Sequence, residues 1–137
     1  MPVTPYLVFS GRCEEALDFY KKAIGAEVDV LMRFKDSPEP PPPGCAPVDA
    51  SKIMHASFKV GGTAVMATDG MTVNGEPKFS GFSLTIHAKD ENEADRLFAG
   101  LSQGGQVQMP LGKTFFAKRF GMVADKFGVS WMLIVEP

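Results

Sequence analysis

Polar and apolar positions in the stretch SGRCEEALDFYKKAIGAEV, residues 10–28, follow a helical period. Ala16, Phe19, Tyr20, Ala23 and Ile24 make one apolar stripe, and Glu14, Glu15, Asp18, Lys21 and Lys22 fall outside it. The acids come first and the lysines last, the order a helix dipole favours. Ser10 is placed to cap the start, and Gly25 to stop the helix in the left-handed conformation. The pattern predicts a helix over Gly11–Ile24. Ala26-Glu27-Val28-Asp29-Val30 then alternates, which predicts a strand ending near Phe34.

The pattern returns later in the chain. Glu93-Ala94, Leu97, Phe98 and Leu101 repeat Glu15-Ala16, Phe19, Tyr20 and Ala23 at an offset of 78, and Tyr6 and Val8 correspond to Leu84 and Ile86. Gln106-Val107 echoes Glu27-Val28 at an offset of 79. Strand, helix and stop signal keep register, so the chain reads as a duplicated module. The other elements follow from alternation and turns. Strands are predicted over Thr4–Phe9, Ile53–Val60, Thr63–Thr68, Phe79–His87, Gln106–Pro110, Arg119–Ala124 and Val129–Val135. Gly61-Gly62 and Asp125–Gly128 close hairpins. The second helix is predicted over Glu91–Gln103, with Asp90 and Glu93 in a capping box. Lys35–Lys52, with four consecutive prolines, is predicted to be irregular, because proline supplies no ladder donor. Asn74-Gly75 predicts a turn.

These elements give an α+β fold of two β-α-β-β-β modules, 1–70 and 79–137, in a single domain 1–137. Each module has one sheet face covered by its helix and a second face that needs cover, from the other module or from a second chain.

Composition narrows the function classes. The chain has 137 residues, 45% hydrophobic, with a formal charge of −2 and no basic run. A nucleic-acid partner is not expected, since phosphate binding needs concentrated Lys and Arg. No apolar run reaches spanning length and MPVTPYLVF lacks a charged n-region, so no membrane partner and a cytoplasmic location are expected. Cys13 and Cys45 have no metal spacing and are read as free thiols. Cys13, at a helix start, is the one with a route to a lowered pKa; a small buried helix residue is the plainer reading.

The residues Pro5-Tyr6-Leu7, EEALDFY at 14–20, GAEV at 25–28, Ile53-x-His55-Ala56, Met66-x-x-Asp69, Thr114-Phe115-Phe116 and Phe120-Gly121-x-Val123-x-Asp125-Lys126-Phe127-Gly128-Val129-x-Trp131-Met132 carry a resemblance. Together they resemble the PhnB-like branch of the vicinal oxygen chelate superfamily, which includes glyoxalase I, extradiol dioxygenases and bleomycin-resistance proteins. The resemblance spans the whole chain. It implies two modules that often pair with those of a second chain, hence a homodimer. It also implies a cavity holding either a divalent metal or an organic ligand. The branch has also been labelled demethylubiquinone methyltransferase-like.

Alignment on the helices and hairpins puts the four ligand positions of the metal enzymes at Pro5, Ser83, Met66 and Met132, none a usual ligand for those metals. A thioether pair suits a soft ion such as Cu(I), but paired methionines are more often gap-filling core. No metal and no cofactor are therefore expected. His55 is the better of the two histidines as a site residue, with Asp69 as its candidate partner for acid/base work. His87 ends a strand, and for both histidines an ordinary hydrogen-bonded or surface role is the plainer reading. No nucleophile elbow, phosphate loop or dinucleotide fingerprint is present. Eight methionines and eleven phenylalanines are enough to line an adaptable apolar cavity as well as a core.

The expected function is metal-independent binding of a small organic ligand in an apolar pocket formed by Tyr6, His55, Met66, Asp69, Phe116 and Met132. A metal-dependent lyase, isomerase or dioxygenase of glyoxalase type is the alternative. A methyltransferase-like quinone enzyme is the third reading; it lacks a glycine-rich turn after the first strand.

Overall fold

Each half of the chain wraps one amphipathic helix onto a four-stranded sheet in the computed structural model, which describes residues 1–38, 49–70 and 77–137. The halves are distinct units, Met1–Pro77 and Lys78–Pro137.

The first unit runs β1 (Tyr6–Val8), α1 (Cys13–Ile24), β2 (Glu27–Arg33), a 3-10 turn (Phe34–Asp36), β3 (Ile53–Val60) and β4 (Thr63–Thr68). Its strand order is β1-β4-β3-β2, with β1 parallel to β4 and the other pairs antiparallel. The second unit runs β5 (Leu84–His87), α2 (Glu91–Ser102), β6 (Gln106–Gly112), β7 (Arg119–Ala124) and β8 (Ser130–Val135). Its order, β5-β8-β7-β6, has the same pattern of one parallel and two antiparallel pairs. The expected β-α-β-β-β modules and the α+β class are therefore both present.

Helix α1 buries Cys13, Ala16, Leu17, Tyr20 and Ile24. Tyr20 stacks on Phe58 of β3, centroids 5.8 Å apart, and meets Phe9 at 6.3 Å. Leu7, Ala56, Phe58, Val65 and Ala67 are buried on that helix side of the sheet. In the second unit α2 buries Ala94, Leu97, Phe98 and Leu101. Phe98 comes so close to β7 that a Cβ on Gly121 would stand 2.9 Å from its ring edge and 2.9 Å from the Leu111 backbone.

Several boundaries differ from expectation, each for a local reason. Helix α1 starts at Cys13, because Ser10 (φ 51°) and Gly11 (φ 100°) turn the chain in the left-handed region just before it. Ser10 does not cap the helix; its N-cap is Arg12, without a side-chain cap bond. Gly25 does end it, at φ 67°. Strand β1 is shorter than Thr4–Phe9, since Pro5 has no N–H and only its carbonyl joins the ladder, accepting from Met66 N at 2.9 Å. Strand β5 begins at Leu84 rather than Phe79, after Gly81 at φ 80° and an edge-on contact of Phe79 with Phe82. Strand β6 passes through Pro110 to Gly112. It tolerates proline because it is an edge strand with register shifts on both sides of Met109. The α2 capping box closes one residue early: Asp90 Oδ1 accepts from Glu93 N, while Glu93 Oε1 accepts from Lys89 N.

The predicted irregular stretch Lys35–Lys52 opens with the 3-10 turn and closes on Asp49, whose Oδ1 accepts from Ser51 N and Oγ. Its four prolines and Cys45, and the Asn74-Gly75 turn, lie outside the described residues.

Candidate functional site

Strand alternation sorts the side chains of each sheet into a helix side and an uncovered side. In the first unit Tyr6, Met66, Ser57 and Val30 occupy successive register positions across β1, β4, β3 and β2 on the uncovered side. Met32 and His55 face each other one step along, and Val8 pairs with Thr68. Tyr6, Val8, Val30 and Met32 are each 39–47% exposed, so this is an apolar face open to solvent within its unit.

One polar contact crosses it. Tyr6 Oη lies 3.0 Å from His55 Nδ1, with ring centroids 5.7 Å apart. Partial burial pushes the Tyr6 phenol above its ordinary pKa; the Cys13 thiol adds to this and the Thr68 hydroxyl opposes it. The phenol is therefore protonated at neutral pH and able to donate.

Asp69 is elsewhere in function. It is 1% exposed, and its Oδ1 accepts from Cys13 N at 2.8 Å and its Oδ2 from Ile53 N at 2.7 Å. The expected His55–Asp69 pair is not formed. Asp69 supplies an acceptor to the start of α1, where helix amides lack internal partners, and joins it to the start of β3. Cys13, the first residue of α1, is fully buried. Burial, then the Asp69 carboxylate, then Glu14, push its thiol far above the ordinary range, the reverse of an activated nucleophile.

In the second unit Thr85, Met132, Met122 and Met109 form the corresponding row across β5, β8, β7 and β6. Met132 lines a cavity of about 630 Å³ with Phe82, Ser83, Gln108 and Ser130. Ser83 Oγ and Ser130 Oγ are 2.8 Å apart. Phe116 is 42% exposed and packs edge-on against Phe120 and Phe115, at 5.1 and 5.2 Å. His87 is an exposed strand-end residue beside Glu136, 3.3 Å away. Thus Tyr6, His55 and Met66 share one face in the first unit, while Met132 and Phe116 belong to the second. Sequence reasoning named Ser83 but missed Met122, Met109 and the contact of Ser83 with Ser130. Ser130 could have been found by strand parity, two residues from Met132, whereas Met122 and Met109 are placed by register, Met122 opposite Met132 and Met109 opposite Met122.

Neither unit offers a divalent metal a good donor set at the expected positions. At the four positions named above, Pro5 offers a carbonyl already used in the sheet, Ser83 a hydroxyl bonded to Ser130, and Met66 and Met132 thioethers. Among the described residues no three His, Cys, Asp or Glu side chains cluster to hold an ion.

Comparison with known proteins adds the relatives. A family model described as 3-demethylubiquinone-9 3-methyltransferase matches residues 1–134. Protein YjdN of Escherichia coli K12 is 37% identical, over 98% of this chain and 95% of that protein. The crystal structure of PA1353 from Pseudomonas aeruginosa is 42% identical, with TM-score 0.85, covering 99% of this chain and 98% of that one. The PhnB protein of Bacillus cereus is 31% identical, with TM-score 0.80, over 98% and 99%. At 11% identity the fosfomycin resistance protein FosX of Mesorhizobium loti shares the fold, with TM-score 0.63 over 100% of this chain and 92% of that one.

Proposed function

The chain belongs to the PhnB-like family described as 3-demethylubiquinone-9 3-methyltransferase, within the vicinal oxygen chelate superfamily, and from that membership we propose that it binds a small organic ligand without a metal. The observation that carries this reading is the character of the uncovered sheet faces. They present thioethers, aliphatic side chains and aromatic rings where metal enzymes of the superfamily present oxygen and nitrogen donors. Such a surface favours binding by burial of apolar groups, with a few hydrogen bonds setting orientation. In the first unit Tyr6 and His55 supply the polar groups and Met66 the adaptable wall. In the second, Met132 and the Ser83–Ser130 pair do the same, with Phe116 nearby as an exposed aromatic. Asp69 contributes by holding the scaffold and is not assigned to the pocket wall.

The methyl transfer in the family's description has less support. Each sheet is mixed, with a single parallel pair, and the turn from β1 to α1 holds only Gly11 among glycines. A nucleotide-type cofactor normally lies on a glycine-rich turn at the edge of a doubly wound parallel sheet. We also propose that a second copy of the chain covers the apolar faces in a homodimer.

The test is elemental analysis of protein purified without chelator, followed by titration with Mn(II), Ni(II) and Zn(II), and mass spectrometry of co-purifying small molecules. An organic ligand at near-stoichiometric occupancy and no saturable metal binding is the expected result. Stoichiometric, tight metal binding would overturn the reading.

A further inference from the structure

We infer that the ligand of the first unit carries an uncharged hydrogen-bond acceptor, a ketone, ester or amide carbonyl, which docks on the Nε2–H of His55. The inference rests on the binding reading above and specifies the ligand class.

It takes Tyr6 Oη as the donor and His55 Nδ1 as the acceptor of their 3.0 Å contact. The Tyr6 hydroxyl keeps its proton at neutral pH and has His55 Nδ1 within 3.0 Å to receive it. A neutral imidazole that accepts at Nδ1 carries its hydrogen at Nε2. Among the described residues no hydrogen bond to Nε2 is found, and it is not a buried unsatisfied atom, so it is accessible at least in part. The result is one oriented N–H donor among Val8, Met32 and Met66.

Charge selects a neutral acceptor over a carboxylate. The strand cations of this unit are already engaged: Arg33 with Glu14, and Lys59 with Asp29 at 4.0 Å. An anion laid on this face would give up its hydration for one neutral donor, whereas a carbonyl gives up little. Tyr6 is thus a positioning residue, which fixes the tautomer, and His55 is the contact.

The experiment uses the full chain, uniformly ¹⁵N-labelled, with three probes of one shape: acetophenone, ethylbenzene and benzoate. Long-range ¹H–¹⁵N spectra should show His55 with its hydrogen on Nε2, and Tyr6→Phe should abolish that preference. Acetophenone should shift Nε2 and bind roughly three- to ten-fold more tightly than ethylbenzene, the range one hydrogen bond supplies. His55→Phe should erase that difference, while His55→Gln should restore part of it through its amide donor. A hydrogen on Nδ1, equal binding of acetophenone and ethylbenzene, or tighter binding of benzoate would overturn the inference and leave the apolar site standing. If no probe perturbs Tyr6, His55 or Met66, the site itself fails and the inference with it.

Discussion

Tyr6 and His55 meet above β4, a strand to which neither belongs. Oη of the one and Nδ1 of the other are 3.0 Å apart, joining β1 to β3 over the intervening strand. The bond is exposed, so its loss is mild for the fold. Tyr6→Phe should lower unfolding free energy by about 0.5–1.5 kcal/mol in urea denaturation. His55→Ala should weaken binding of a co-purified ligand by roughly 1–3 kcal/mol in calorimetry, the cost of an unsatisfied polar partner.

Trp131 contrasts with this pair. It is 2% exposed and its Nε1–H donates to Asp125 Oδ2 at 2.9 Å. Trp131→Ala should cost about 3–5 kcal/mol, well above His55→Ala, by thermal or urea unfolding. If His55→Ala proves the more damaging to folding and spares binding, His55 is structural.

Asp69 should behave as a fold residue. Asp69→Ala leaves the amides of Cys13 and Ile53 without their acceptor, at about 1–3 kcal/mol each. Asp69→Asn keeps one carbonyl oxygen and should cost less. Urea denaturation of the two variants gives the order, and ligand affinity per folded molecule should be unchanged in both.

The Glu14–Arg33 ion pair sets a pH dependence. Arg33 hydrogen bonding holds the Glu14 carboxyl below its usual pKa. A carboxyl depressed in the folded state stabilises above its unfolded pKa, and the effect disappears as pH falls through the folded pKa. Wild type and Glu14→Gln should therefore differ slightly at pH 7 and converge in acid. Added salt should shrink the difference, because Glu14 is half exposed.

If a second copy covers the apolar faces, sedimentation at micromolar concentration should give twice the chain mass. The interface should bury more than about 2,000 Å² in total. Placing a charge on one face by Met109→Lys should shift the equilibrium to monomer. A monomer in the wild type would count against the homodimer.

The helices and hairpins were legible because their signals are local. Apolar spacing marked α1 and α2, Gly61-Gly62 marked the β3–β4 turn, and Ile53–Val60, Thr63–Thr68 and Arg119–Ala124 form at their expected bounds. The site was harder to read. His55 and Asp69 both stand at strand ends, and their types suit a catalytic pair. Which backbone amides lack acceptors is decided only once α1 and β3 are packed, and there Cys13 N and Ile53 N take the carboxylate. The Ser10 cap failed for a similar reason: a helix start supplied by Asp69 from β4's end needs no local cap. Tyr6 was singled out from its sequence context, but its bond to His55 depends on β1 lying beside β4, a long-range fact that periodicity does not carry.

The parallel pairing of β1 with β4 has a consequence for how the protein is made. In each unit the first strand emerges from the ribosome before helix and hairpin, yet among the described residues its sheet partner is the last strand of that unit. Tyr6–Val8 must wait, unpaired, until Thr63–Thr68 has been synthesised and zipped to β3. Closing that long loop costs chain entropy that grows with loop length. The Tyr6–His55 contact bridges β1 and β3 over β4, so a nascent chain halted before Thr63 lacks the strand beneath it.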